Sequence, residues 1–548
     1  LNLVGPGNAE NLGALRIATG ATLTAPITLA GATTISQEGG AIAGAITAGT
    51  GAALTLSGTG NLSLNGAISG PVSIAKSGAG ALTFAGANTY TGTTNISAGT
   101  VNYLTAASLV AAGTTIGNGV IANFNVGGTA EFATTDIAAI LGLTYGAGAG
   151  TTILGFNTQN ATGGTFTLGN VIANPTGVNL GVNKQGAGTL TLSGANTYSG
   201  PTRVYGGVLE ATTIADAASS IGTGGATGWL SLINGTLRYT GAASATSTRP
   251  LWIDVGTGTI DVANAAATLT LNPSAGNINQ TFTKTGAGAL ILSGARFTGT
   301  NTATVSVAAG SLTMNGANLF SGGTSIATGA SATAGAVGAF GTGKVVVDAG
   351  GTFTLAAPVA ATNTFTFAGL QGAGTVNVSN MGTGTNTTVL TLPVSASTAG
   401  ASGTNSLTLS SASNFAPGML ITGTGITAGT TVTAVNGNVL TLSANLTAAA
   451  SGNYTGALNT FTGTLNIGFG GVAGGFTGKL SNSNIGTAAA TINVLPNATL
   501  YTSGNAATTY LYGGTGLGEA LGQLRLTGTN TGNIVLAGPQ IAASGSIG

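Results

Sequence analysis

The chain has no cysteine and no histidine in 548 residues. No disulfide framework, thiolate nucleophile or histidine-ligated zinc site can therefore exist, and imidazole, the commonest general base near neutral pH, is missing. Charge is almost as scarce. Only 4% of residues are charged, against roughly 25% in an ordinary soluble domain. Eleven basic and ten acidic side chains leave a net charge of +1, which excludes strong electrostatic steering toward nucleic acid or an anionic membrane. This scarcity does not signal disorder, because disordered chains are poor in apolar residues and this one is 43% apolar with a mean hydropathy of +0.44. Tryptophan, a frequent anchor of propeller blades, occurs only at Trp229 and Trp252.

Long hydrophobic runs are missing as well. No stretch matches the roughly 20 apolar residues of a transmembrane helix. The nearest, from Ile137 to Phe156, is broken by glycine and threonine and is expected to form a buried strand pair or short helix. Nothing resembles a signal peptide, so an export signal is expected to have been removed or to lie outside these residues.

What is abundant is glycine, with 97 copies, and short runs in which threonine alternates with a large apolar residue. Backbone entropy and β-branching both disfavour helices here. In Thr189-Leu190-Thr191-Leu192, Thr281-Phe282-Thr283 and Thr352-Phe353-Thr354 the apolar side chains are expected to face inward and the threonines outward, as the period of two in a strand requires.

One passage recurs. Lys76, Lys184 and Lys284 each open a Lys-x-Gly-Ala-Gly segment followed by an alternating run and a second Gly-Ala turn. The lysines stand 108 and 100 residues apart (184 − 76 and 284 − 184). Recurrence of this kind, with small-residue corners, favours stacked rungs of roughly 20 to 25 residues over a sandwich or propeller. The fold expected is all-β: a parallel β-solenoid over 1–389, with repeats near 76–101, 184–209 and 284–312, a small inserted β domain over 390–454, and the solenoid resuming over 455–548. The insertion is inferred from turn signals at Phe415-Ala416-Pro417-Gly418 and at Asn436-Gly437 between valine-rich runs.

The passage Gly186-Ala187-Gly188-Thr189-Leu190-Thr191-Leu192-Ser193-Gly194-Ala195-Asn196-Thr197-Tyr198-Ser199-Gly200 closely resembles the autotransporter-associated β-strand repeat of large exported bacterial surface proteins. The match is close over 184–209 and 76–101 and partial over 284–312. The resemblance implies a right-handed parallel β-helix, an extracellular or bacterial cell-surface location, and adhesive or structural work. No translocator-barrel segment is recognisable in the residues given, so the export route is left open.

Candidate sites are few. The nearest carboxylate pairs are Glu131 with Asp136, Glu210 with Asp216, and Asp254 with Asp261, the last having Arg249 upstream. Glycoside hydrolysis needs paired acids at a defined separation, and seven residues do not set two side chains together on one strand face. Turn aspartates and a local ion pair are expected instead. The Gly-x-Gly segments at Gly78, Gly186 and Gly286 precede strands, so they lack the helix N-terminus that cradles phosphate and are expected to be turns. The three lysines are expected to keep their corners solvated, the alternative being a spaced basic row for an anionic glycan. Tyr90, Tyr198 and Phe297 are expected to cap the apolar core rather than form a sugar-stacking ladder.

No catalytic, cofactor-binding or metal-ligating residue is assigned, and no cofactor. The function expected is a non-catalytic extracellular structural protein that self-associates, end to end, into a filament, sheath or fibrous layer. The alternative is an adhesin passenger that binds a host surface or glycan. A nearly uncharged surface and strand edges such as Leu1–Val4 and Asn533–Leu536 motivate the first reading. Nucleic-acid partners and a transmembrane segment are not expected.

Overall fold

In the computed structural model the chain winds as a β-solenoid of about 16 turns, nearly all of its strands parallel. The structure describes residues 1–7, 13–273, 275–297 and 302–356, and residues 362–536 in interrupted stretches of strand. The chain divides into two compact units. One comprises Leu1–Gly241, Ala245–Trp252 and Pro273–Ala275; the other comprises Ala242–Ser244, Ile253–Asn272 and Gly276–Gly548.

In the first unit, strands Ala53–Ser57, Ser73–Lys76, Thr94–Ile96 and Thr114–Ile116 stack in parallel, with Leu54, Ile74, Thr94 and Thr114 in register. A second face stacks Leu62–Leu64, Ala81–Phe84, Thr100–Tyr103 and Ile121–Asn125. Alternation sets the two sides as expected: in Ala81–Phe84 and Thr189–Leu192 every second side chain is buried. Leu82, Val101 and Leu154 lie in such inward columns with no exposure. Burying one large apolar side chain contributes about 1.5–3 kcal/mol, and in-register stacking repeats that gain on each rung.

Aromatics stack the same way. Phe84 lies on Tyr103 with ring centroids 5.3 Å apart, and Tyr103 on Phe124 at 5.5 Å, the rings nearly parallel in both pairs. The segment from Ile137 resolves into a five-residue helix, Ile137–Leu141, and strands Thr144–Tyr145 and Thr151–Asn157. Among the described residues no helix is long and apolar enough to cross a membrane.

The second unit repeats the pattern through Thr268–Leu271, Ala289–Leu292, Ser311–Met314, Ser331–Ala334 and Thr352–Leu355, each burying alternate residues. The ladder then skips a long excursion. Leu370–Gly372 pairs with Thr460–Phe461, and Thr375–Ser379 with Thr464–Phe469.

Between these rungs six strands from Val394–Ala399 to Asn453–Ala457 form an antiparallel sheet. Leu407, Leu409, Val432, Leu440, Leu442 and Tyr454 make its buried cluster. The hairpin foreshadowed by Asn436-Gly437 joins Val432–Asn436 to Val439–Leu442. Its pairing of Asn436 with Val439 leaves Gly437 and Asn438 as the turn, one residue later than expected, with Gly437 at φ +57°. Ala416, Pro417 and Gly418 of the other turn signal, and Asn533 of the last edge strand, lie outside the described residues.

Candidate functional site

The recurring lysines are not solvated. Lys76, Lys184 and Lys284 are fully buried, which overturns both the solvated-corner expectation and the basic-row alternative. Each occupies an inward strand position that its neighbours fill with apolar side chains. Lys76 pairs with Leu56 and Ile96, Lys184 with Phe156 and Val204, and Lys284 with Ile260 and Val307.

The reason lies one and two residues on, where the strand ends and the corner turns carbonyl oxygens away from the ladder. An ammonium has three donors and no acceptor. Lys184 Nζ donates to the carbonyls of Gln185 at 2.9 Å, Gly186 at 2.5 Å and Gly206 at 3.1 Å. Lys284 Nζ donates to those of Thr285 at 2.6 Å, Gly286 at 2.8 Å and Ala309 at 3.2 Å. Lys76 Nζ donates to those of Gly78 at 2.5 Å and Ala98 at 2.8 Å.

Every copy thus bonds the first glycine of its own Gly-x-Gly corner and a carbonyl of the following rung. Gly186 at φ +77° shows why glycine opens that corner. The Gly-x-Gly segments are turns, as expected, but they present carbonyls to a cation instead of amides to a phosphate. Desolvation lowers the pKa of all three lysines from the usual 10.5 to about 8, while the nearby Asp261 carboxylate opposes the shift at Lys284.

The asparagine of the same motif is a second internal staple, which the sequence reading missed. Asn88 Oδ1 accepts from the Ile68 amide at 3.0 Å, and its Nδ2 donates to the Ser108 carbonyl at 2.7 Å. Asn196 bridges the Ile172 amide to the Ser220 carbonyl, and Asn318 the Arg296 amide to the Ala339 carbonyl. Each therefore ties a preceding rung to a following one. Recurrence of Gly-Ala-Asn at Gly86, Gly194 and Gly316 was the available signal.

Tyr90, Tyr198 and Phe297 are buried in the core as expected. The two hydroxyls pair with threonines four residues on, Tyr90 with Thr94 at 2.6 Å and Tyr198 with Thr202 at 2.7 Å.

The carboxylates take separate structural roles. Glu131 accepts from the Gly128 amide and Asn160, and Asp136 from the Ala133 amide. Glu210 lies 3.8 Å from Arg238. Asp254 accepts from Asn279 at 2.8 Å. Arg249 serves neither Asp254 nor Asp261.

It is 2% exposed and donates to four carbonyls, those of Ala215, Gly222, Thr223 and Gly228, at 2.6–3.2 Å. Asp216 braces it by accepting from the hydroxyls of Ser247 and Thr248, both at 2.6 Å. Burial opposes ionisation of Asp216, but these bonds, the Thr248 amide and the Arg249 charge hold its pKa below the usual value. Burial lowers that of Arg249, against the pull of Tyr198 and Asp216. Among the described residues no group of three or more acidic side chains gathers to hold a metal.

A recurring motif whose lysine, asparagine and tyrosine turn inward builds rungs of this solenoid. The chain matches the passenger-associated-transport-repeat family over residues 74–102, 182–211, 282–304 and 309–330. The fourth of these lies beyond the three repeats expected from the sequence. The chain is 34% identical over 313 residues to the adhesin BmaC autotransporter of Brucella suis biovar 1 (strain 1330), covering 52% of this chain and 9% of that protein. No solved structure matches it. The repeats and this likeness support an autotransporter-type passenger-repeat protein and indicate secretion to the cell surface; the chain spans 9% of that relative's length.

Proposed function

We propose that the chain is a non-catalytic, adhesin-type segment of an extracellular passenger, a scaffold whose outer surface binds host-surface ligands. The observation that carries this reading is the inward use of the repeat. Its recurrent polar groups are consumed in holding rungs together, so the repeats supply a scaffold, and binding falls to features that interrupt them. The antiparallel sheet of Val394–Ala457 is one such feature, a self-packed module set between two paired rungs. The named function of the Brucella relative supports adhesion, although this chain spans under a tenth of that protein's length.

End-to-end self-association into a filament is the alternative, favoured by a chain with only 4% charged residues and little electrostatic repulsion. Beads coated with the purified chain, scored for attachment to epithelial cells and extracellular matrix, test the first reading; electron microscopy at high concentration tests the second. Attachment by uniform isolated particles supports the adhesin. Continuous fibres without attachment overturn it in favour of the filament.

A further inference from the structure

Arg203 and Trp229 form a pair the repeats do not explain. The guanidinium carbon of Arg203 lies 4.6 Å from the centre of the Trp229 ring. Both side chains are half-buried, and they wall a groove of about 340 Å³. Ile121, Ile153 and Thr151 line its floor and Thr227 its rim. A Cβ on Gly181 would fall 2.7 Å from Ile153 Cδ1 and 3.0 Å from Pro201 Cδ, so glycine there leaves room for two of the lining side chains.

The wall is held from behind. Arg249 binds the carbonyls of Gly222, Thr223 and Gly228, so the turn carrying Thr227 and Trp229 is pinned by a buried cation that is itself braced through Asp216. Burying an arginine is costly unless its donors are satisfied. Here four carbonyls take the hydrogens of its two terminal nitrogens while Nε finds no partner among the described residues, and through those carbonyls the turn carrying Trp229 is held.

Arg203 supplies the groove's only charge, since no acidic residue lines it. The described ion pairs are Arg16 with Glu38 and Arg238 with Glu210, and Arg203 joins neither. A guanidinium lying on an aromatic face keeps its N–H fork free in its own plane, where a carboxylate is met by two parallel hydrogen bonds. The other lining residues include Ile121, Ile153 and Ala226, the Trp229 indole, and two threonines, Thr151 and Thr227. This lining suits a ring with one apolar face and several hydroxyls.

From this juxtaposition we infer that the Arg203–Trp229 groove binds a carboxylate-bearing sugar of a glycan, uronic acid in type. The inference rests on the adhesive reading above and assigns it a site.

The test uses the full chain carrying Trp252→Phe, which leaves Trp229 as the sole indole. Oligogalacturonate should change its fluorescence saturably, and the methyl ester of the same oligomer, which lacks the charge, should not. Arg203→Gln should weaken binding about tenfold or more, and Arg203→Lys should recover only part of it, because a point charge lacks the fork. Circular dichroism checks the fold of each variant.

Equal affinity for acid and ester, undiminished binding by Arg203→Gln, or no saturable change overturns the site. Cell attachment scored in parallel separates the two claims. Attachment without uronate binding overturns the site alone, and uronate binding without attachment overturns the adhesive reading while the site stands.

Discussion

Lys184 occupies, on its rung, the inward position that Phe156 occupies on the rung before. A cation thus sits in register with an aromatic ring because the corner carbonyls beyond it demand donors. Lys184→Met keeps the stem and removes the donors: the Gly186 and Gly206 carbonyls lose their bonds from the ammonium, while the Gln185 carbonyl keeps that from the Thr158 amide. The substitution should destabilise the surrounding rungs by roughly 2 kcal/mol. Lys184→Ala, which also opens a cavity, should cost about 1–2 kcal/mol more. Denaturant midpoints check the order: wild type, then Met, then Ala.

Stability should respond to alkaline pH with a defined sign. The three lysines fall from 10.5 to about 8 on folding. The unfolded chain therefore binds more protons between these values, and stability rises with pH across that window. Tyr198 is raised from 10.0 to about 12 by burial, which outweighs its bond with Thr202 and the nearby Arg249 charge. Its contribution is complete below pH 10 and is lost as pH climbs toward 12. Thermal melts from pH 7 to 12 should therefore pass through a maximum between the two effects. The triple variant Lys76→Met, Lys184→Met, Lys284→Met should lose the rise and keep the fall.

Arg249→Met should free the turn from Gly222 to Gly228, whose carbonyls it holds. Hydrogen–deuterium exchange should accelerate across residues 215–229 and stay unchanged at Leu82–Tyr103. Asp216→Asn should produce the same pattern more weakly, since it removes the brace and leaves the cation.

Gly155 sits in register between Asn123 and Asn183. A Cβ there would fall 1.9 Å from the Asn123 Oδ1 atom, which also accepts from Gln185 at 3.1 Å. Gly155→Ala should cost about 1–3 kcal/mol through this overlap. Asn123→Ala in the same chain should recover much of the loss, a coupling that a double-mutant cycle measures.

Residues 392–459 separate two strands whose rungs pair directly on either side. One rung earlier, the equivalent strands Thr362–Thr366 and Leu370–Gly372 are three residues apart in sequence. Replacing 392–459 by the sequence Phe-Ala-Gly found there should leave the far-ultraviolet spectrum of a parallel β-solenoid. Cell attachment measured on the shortened chain then divides adhesion between the excised sheet and the Arg203–Trp229 groove.

Much of the fold was legible because it depends on local pattern. The alternation in Thr189–Leu192 has a period of two, and burial follows it residue by residue. The glycine corners and the hairpin near Gly437 were legible for the same reason. The burial of Lys184 was not. Composition assigns an ammonium to water, and one of the carbonyls that overrule this belongs to Gly206, on the next rung. Arg249 misled in the opposite way: Asp254 is near it in sequence, but the carboxylate that braces it is Asp216. Arg203 and Trp229 carried no local sign at all, because only the winding of the chain sets them side by side.

Rungs built from the same few residues pose a problem of alignment, since Thr-Leu-Thr-Leu can pair with almost any other alternating run. Slippage by two residues would keep leucine inside and threonine outside at little cost. It would also carry Lys76, Lys184 or Lys284 away from the glycine carbonyls and strand a charge in an apolar column. The buried ammonium therefore acts as an index mark, penalising pairings that the leucines alone would tolerate.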